Sequence, residues 1–259
     1  MKLQAALVSL ALIGLTSVAV GKDDDKGPRT GYFETETTVL ELLGEKGAAS
    51  LSDVFEPDEL LKWKVYVPKT YMPTKPAGVI VYVTFSNSWG GSRRAYNEVL
   101  DDSNLIWAGV IGAGDKKPMD TRIMRVMLTP TFLAQNYKLD PERMFVGGTS
   151  GGAQVAAILA TSKPELFKGA LFIGDALAWK DKLPAGIDHV RKNRYVFMVG
   201  SNNTNLNNVR SAAAAYRKAG VEHTKLIVMP NVARKAPTAN FIQKAIEYLD
   251  GHEDARPDE

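Results

Sequence analysis

In the run Gly148-Thr149-Ser150-Gly151-Gly152, a serine hydroxyl stands among small residues. An apolar strand-like run, Met144-Phe145-Val146, precedes it, and an alanine-rich helix-like run from Ala153 to Ala160 follows it. A serine at such a strand-to-helix turn is the setting of a nucleophile elbow, and the amide of the next residue, Gly151, is then an oxyanion donor at the start of a helix. The glycines have a second reading, because a tight turn packed closely on its sheet needs glycine whether or not Ser150 reacts. A serine hydroxyl also needs a neighbouring base to accept its proton. The chain has three histidines, His189, His223 and His252, all after Ser150. Two of them precede the apolar runs that begin at Tyr195 and Lys225, and the third follows the last helix-like segment. In an open parallel sheet ligands gather beyond the carboxyl ends of the strands, so all three are expected away from the serine.

The elements that must position this serine follow from hydrophobic patterning. Glu34 to Leu40 and Leu61 to Val67 alternate or nearly alternate, as half-exposed antiparallel strands do. Gly78 to Phe85, Leu105 to Ile111, Met144 to Val146, Ala170 to Ile173, Tyr195 to Val199 and Lys225 to Met229 are continuously apolar, as strands buried on both faces are. Helix-like segments fall between them at Arg93 to Leu100, Arg122 to Gln135, Gly152 to Ala160, Asn208 to Lys218 and Thr238 to Leu249. This alternation predicts an α/β architecture with a mostly parallel central sheet and helices on both faces. Ala176 to Asp188 shows neither period and is expected to form a loop or short cap near the site.

Pro68 to Asp250 resembles the secreted α/β hydrolases that include polyhydroxyalkanoate depolymerases and feruloyl esterases. The resemblance is carried by Leu139-Asp140-Pro141-Glu142-Arg143, leading into the Ser150 strand, and by Phe167-Lys168-Gly169-Ala170, leading into the next. It implies the α/β-hydrolase fold, with an acid in the loop after the Tyr195–Val199 strand and a histidine in the loop after the Lys225–Met229 strand. At those positions this chain offers Asn203 and Arg234. Asn203 carries no negative charge to steady an imidazolium, and the Arg234 guanidinium stays protonated and cannot deprotonate Ser150. Arg234 either turns into solvent or gives the site a cation for a carboxylate- or phosphate-bearing ligand.

Further candidates come from loops leaving other strands. Asp175, after the Ala170–Ile173 strand, is a carboxylate without a histidine to orient, and Lys116 or Lys117, beside Asp115, would serve as a base only if desolvated. A Ser-x-x-Lys arrangement is excluded, since Ala153 holds the lysine position. Asn87 and Trp89 lie in the loop that supplies a second oxyanion donor in this fold, although Gly90-Gly91 there also reads as a plain turn. Trp89, Trp107 and Trp179 either line a pocket or pack at strand ends. The dispersed histidines lack zinc-site spacing, and neither a metal nor another cofactor is implied.

Composition sets the outer bounds. The 259 residues are 45% hydrophobic and 24% charged, enough for one large core. Residues 1–21, with Lys2 before a long apolar run and Ala19-Val20-Gly21 at its end, read as an export signal, or else as an uncleaved anchor. Residues 22–30 are expected to be flexible and residues 31–259 to form the hydrolase domain. Secretion or a periplasmic location follows, with no membrane contact after signal cleavage. With no cysteine, such a chain is held together by its core alone. The formal charge of +3 comes from 32 basic residues scattered among 29 acidic ones, so nucleic acid is not an expected partner. The ligand class is a small or polymeric ester or acyl compound, bound with weak turnover or none; the alternative is an active serine carboxylesterase with a base not evident in the sequence. A carbohydrate-linked ligand or a protein in that cleft is the other alternative, and the sequence does not identify a protein partner.

Overall fold

The computed structural model describes residues 27–179 and 182–252. The expected signal and residues 22–26 of the expected flexible stretch lie outside them. At the end of that stretch the Arg29 carbonyl accepts a hydrogen bond from the Tyr137 hydroxyl at 2.7 Å, and its guanidinium lies 4.2 Å from the centre of the Phe33 ring.

In chain order the elements are β1 (Gly31–Thr38), α1 (Val39–Ser50), β2 (Leu60–Val67), β3 (Ala77–Val83), a 3-10 turn (Arg94–Tyr96), α2 (Asn97–Asp102), β4 (Leu105–Ile111), α3 (Met119–Ala134), β5 (Leu139–Thr149), α4 (Gly151–Ser162), β6 (Gly169–Ile173), α5 (Ile187–Lys192), β7 (Arg194–Gly200), α6 (Leu206–Lys218), β8 (His223–Met229) and α7 (Ala239–Leu249). The strands form one sheet in the order β1-β2-β4-β3-β5-β6-β7-β8, with β2 antiparallel to both its neighbours and the strands from β4 to β8 mutually parallel. The apolar runs became the central strands for the predicted reason: every residue of β3 and β6 is buried, because helices cover both faces. On one face α3, α4 and α6 pack over Val79, Val81, Val146 and Phe172; on the other α2 and α7 cover Ile80, Phe145, Leu171 and Val196. In α7 the buried residues Ile242, Ala245, Ile246 and Leu249 recur at helical spacing, so one stripe faces the sheet. Ile242, Ile246 and Leu249 each contribute about 1.5–3 kcal/mol by leaving water.

Among the boundaries that differ from the pattern-based reading, two concern β1 and β5, and β8 begins at His223 rather than Lys225. The segment expected to extend as a strand to Leu40 turns into α1 at Val39. Thr38 caps that helix: its hydroxyl accepts from the Glu41 amide at 3.1 Å, and the Glu41 carboxylate accepts from the Thr38 amide at 2.9 Å. Gly44, at φ 68°, then kinks it. Strand β5 starts at Leu139 rather than Met144, because the polar lead-in runs along the sheet rim with Pro141 and Glu142 exposed.

Candidate functional site

The parallel strands bring the loops after β3, β4, β5, β6, β7 and β8 to one edge of the sheet, and Ser150 lies at its middle, between β5 and α4. Its backbone sits at φ 55°, ψ −127°, a conformation side chains rarely adopt. The surroundings enforce it. The Ser150 amide donates to the Ile173 carbonyl at 2.9 Å, and its carbonyl accepts from the Ala153 amide at 2.8 Å. A Cβ on Gly148 would fall 2.3 Å from the Gly152 carbonyl oxygen, and one on Gly152 would fall 2.1 Å from that of Val83. The turn can therefore close onto the sheet only with glycine at both positions. Behind it, the buried Tyr82 phenol hydrogen-bonds the Thr149 hydroxyl, and burial raises its pKa. The Gly151 amide is in the first turn of α4, where no helical carbonyl takes it, and it remains a donor for a ligand.

Loops from β3 and β4 frame one side of the serine. The Asn87 backbone carbonyl accepts from the Gly112 amide and its side-chain oxygen from the Gly114 amide, both at 2.8 Å, so Asn87 fastens one loop to the other. Gly90-Gly91 follows, packed on β4: a Cβ on Gly109 would fall 2.1 Å from the Gly90 carbonyl, which confines position 109 to glycine, whereas a Cβ on Gly90 would meet the Gly109 backbone at 3.2 Å. Of the tryptophans weighed for a pocket, Trp107 is core and donates to the Gly90 carbonyl at 2.8 Å, and Trp179 packs on Tyr216 at 4.6 Å between ring centres. Trp89 is 67% exposed and meets the exposed Phe85 edge-on at 6.2 Å. Lys116 and Lys117 are exposed and so not desolvated as a lysine base requires.

On the other side Asp175 is 8% exposed. Its oxygens accept from Gln154 Nε2 at 2.9 Å, Asn208 Nδ2 at 2.7 Å and the Ala176 amide at 2.8 Å. These neutral donors bind the carboxylate into a brace between α4, α6 and the loop after β6. Gln154 and Asn208 are neighbours of the site that sequence reasoning missed, although Gln154, one helical turn after Ser150, could have been found by its spacing. Asn203 and Arg234 lie on the loops after β7 and β8, which cross-link: the Asn202 amide donates to the Val232 carbonyl at 2.9 Å, and the Asn231 amide to Ser201 Oγ at 2.9 Å. Asn203 Oδ1 accepts from the Asn205 amide at 2.9 Å, closing a local turn beside Gly174. Arg234 is exposed, and its Nη2 donates to Thr204 Oγ1 at 3.1 Å.

All the histidines lie elsewhere. Strand pairing places Thr149, Ile173, Met198 and Ile227 at one level, and His223, four residues before Ile227, lies roughly 13 Å lower at a strand rise of 3.3 Å. His189 is in α5, ahead of β7, with its Nδ1 3.8 Å from a Glu165 oxygen and both side chains well exposed. His252 is exposed beyond α7, its amide bonded to the Glu247 carbonyl.

No protein-family profile matches the chain. An acetylxylan esterase of Coprinopsis cinerea (strain Okayama-7 / 130 / ATCC MYA-4618 / FGSC 9003) is 47% identical over 47 residues, which are 18% of this chain and only 13% of that protein. Among solved structures, a thermostable esterase superimposes with a TM-score of 0.57 and 14% identity over 85% of this chain; the chain spans 62% of that esterase's length. The S-formylglutathione hydrolase FrmB of Staphylococcus aureus superimposes with a TM-score of 0.57 and 11% identity, over 86% of this chain and 96% of that one. Together with the strand order and the elbow between β5 and α4, these likenesses establish that the chain adopts the α/β-hydrolase fold.

Proposed function

We propose that this protein is an exported α/β-hydrolase homologue that binds an ester or acyl ligand at the Ser150 elbow with weak turnover or none. One observation carries the reading. Ser150 is held in the elbow conformation, and the loops after β7 and β8, on the same edge of the sheet, carry Asn203 and Arg234, while every histidine lies off that edge. Without a general base an acyl-transfer site of this kind loses several powers of ten in rate. What remains suits binding: the Gly151 amide for a carbonyl oxygen, the exposed Trp89 face for an apolar or sugar ring, and Arg234 for an acidic group, on a small molecule or a polymer. The likeness to an acetylxylan esterase and to a thermostable esterase supports an ester as the ligand class. Export rests on the apolar run within residues 1–21 and the small residues Ala19-Val20-Gly21 at its end. Among the described residues no helix is long and apolar enough to cross a membrane.

The test pairs fluorophosphonate labelling with hydrolysis of a short-chain nitrophenyl ester. Slow labelling and negligible turnover are expected, together with binding of acidic ester fragments that weakens in Arg234→Ala. The second reading, an active serine carboxylesterase, is favoured by the strained Ser150 backbone, which reactive serines share. Rapid turnover abolished by Ser150→Ala would establish it and overturn the first.

A further inference from the structure

The loop after β4 ends in a carboxylate set against the elbow. Asp115 is placed by its own amide, which donates to the Phe85 carbonyl at 2.9 Å, and by the two bonds from Gly112 and Gly114 to Asn87 immediately before it. Arg122 completes the support from α3. This buried guanidinium, its side chain only 4% exposed, donates through Nε to the Ala113 carbonyl and through Nη2 to Asp115 Oδ1, each at 2.9 Å. The outcome is close contact. A Cβ built on Gly151 would fall 2.0 Å from Asp115 Oδ1 and 2.5 Å from Oδ2, so a larger residue at 151 would have to displace this carboxylate. The half-exposed Asp115 side chain thus brings negative charge against the Cα of the residue whose amide is the elbow's oxyanion donor.

We infer that Asp115 guards the oxyanion position of the Ser150 elbow, selecting against ligands and adducts that put negative charge on the Gly151 amide. In a tetrahedral adduct at Ser150 the former carbonyl oxygen becomes anionic beside that amide, and preorganised donors there lower the barrier. A carboxylate beside that place acts in the opposite sense, because two like charges repel, an effect that the Arg122 guanidinium on Oδ1 reduces but does not reverse at the half-exposed carboxylate. A neutral carbonyl oxygen meets a smaller penalty, so the cleft favours an intact ester over its anionic adduct, and a ligand's carboxylate is directed toward Arg234. The inference rests on the reading of the Ser150 cleft as a ligand site, and it makes Asp115 a specificity-determining group rather than a catalytic one.

The experiment measures the rate at which a neutral alkyl fluorophosphonate modifies Ser150, followed by mass spectrometry of the intact protein, in the parent, Asp115→Asn, Asp115→Ala and Ser150→Ala. In this reaction the Ser150 oxygen bonds to phosphorus, fluoride leaves and the hydroxyl proton passes to solvent. Labelling is expected to rise about tenfold or more in the Asp115 variants, less than the roughly hundred- to thousandfold effect of an oxyanion donor that touches the reacting oxygen, and to vanish in Ser150→Ala. Asp115→Asn retains an oxygen for the Arg122 hydrogen bond and carries the test if the alanine variant fails to fold. Labelling of folded Asp115→Asn at the parent rate or slower would overturn the inference. A parent that hydrolyses esters quickly would instead overturn the non-catalytic reading, and the ratio between variant and parent would still report on Asp115.

Discussion

The elbow and the paired loops after β7 and β8 lie on the same edge of the sheet, yet they are built by opposite means. Around Ser150 the backbone has no freedom: Gly148 and Gly152 each lie within about an atom's width of another strand or helix, and the serine's own amide and carbonyl are both engaged. In the other loops the polar side chains are spent on each other, Asn203 on the Asn205 amide, Arg234 on Thr204 and Ser201 on the Asn231 amide. The elbow is tied to the fold by packing, so it survives loss of chemistry. The backbones of the loops that carry acid and base in this fold are also tied, with Gly200 packed against the Val232 carbonyl, but the Asn203 and Arg234 side chains are held by exposed or half-buried hydrogen bonds, where substitutions are cheap. Structure and catalysis can therefore part company at the second region while the first stays intact.

Four measurements sharpen or break this contrast. The largest effect is expected from Gly152→Ala, which should lower unfolding free energy in urea by about 3 kcal/mol through overpacking, whereas Arg234→Ala should change it by less than about 0.5 kcal/mol. Equal effects would dissolve the distinction. Next, the double variant Asn203→Asp/Arg234→His should raise nitrophenyl ester hydrolysis about a hundredfold, the scale of one restored general base; no gain would mean that the loops have lost more than two side chains. Third, Asp175→Ala strands the Gln154 and Asn208 donors, and a loss of about 2 kcal/mol in thermal or urea unfolding is expected. Fourth, alkali should loosen the chain beyond β8. Burial pushes the Tyr96 phenol up to about 12 from the ordinary 10, and its hydroxyl holds the Pro237 carbonyl at the end of that loop. The Tyr137 phenol, raised to about 12 by the same cause, holds the Arg29 carbonyl ahead of β1. A folded pKa above the unfolded one means that this stabilisation is complete below pH 10 and is lost as pH climbs toward 12. Tyr96→Phe should blunt the fall seen in pH-dependent melting.

The continuous apolar runs make the central sheet legible in the sequence, because strands buried on both faces carry that pattern, and Gly148-Thr149-Ser150-Gly151-Gly152 announces the elbow through its glycines. What escaped was local or long-range in the wrong proportion. The start of α1 was written in Thr38 and Glu41, a reciprocal cap that an alternation of polar and apolar residues disguised as strand. The brace on Asp175 and the placement of Asp115 against Gly151 join residues from separate loops and helices, and no spacing within one segment encodes them.

The left-handed backbone at Ser150 has a consequence for how this chain can change. Every residue bearing a Cβ inherits the same torsional burden there, which for such conformations is on the order of 1–3 kcal/mol. Alanine would discard the hydroxyl and keep the burden, while glycine would discard both. Stability and a hydroxyl at position 150 are thus set against each other, and a lineage free of any need for that oxygen has a downhill route to glycine that this sequence has not taken.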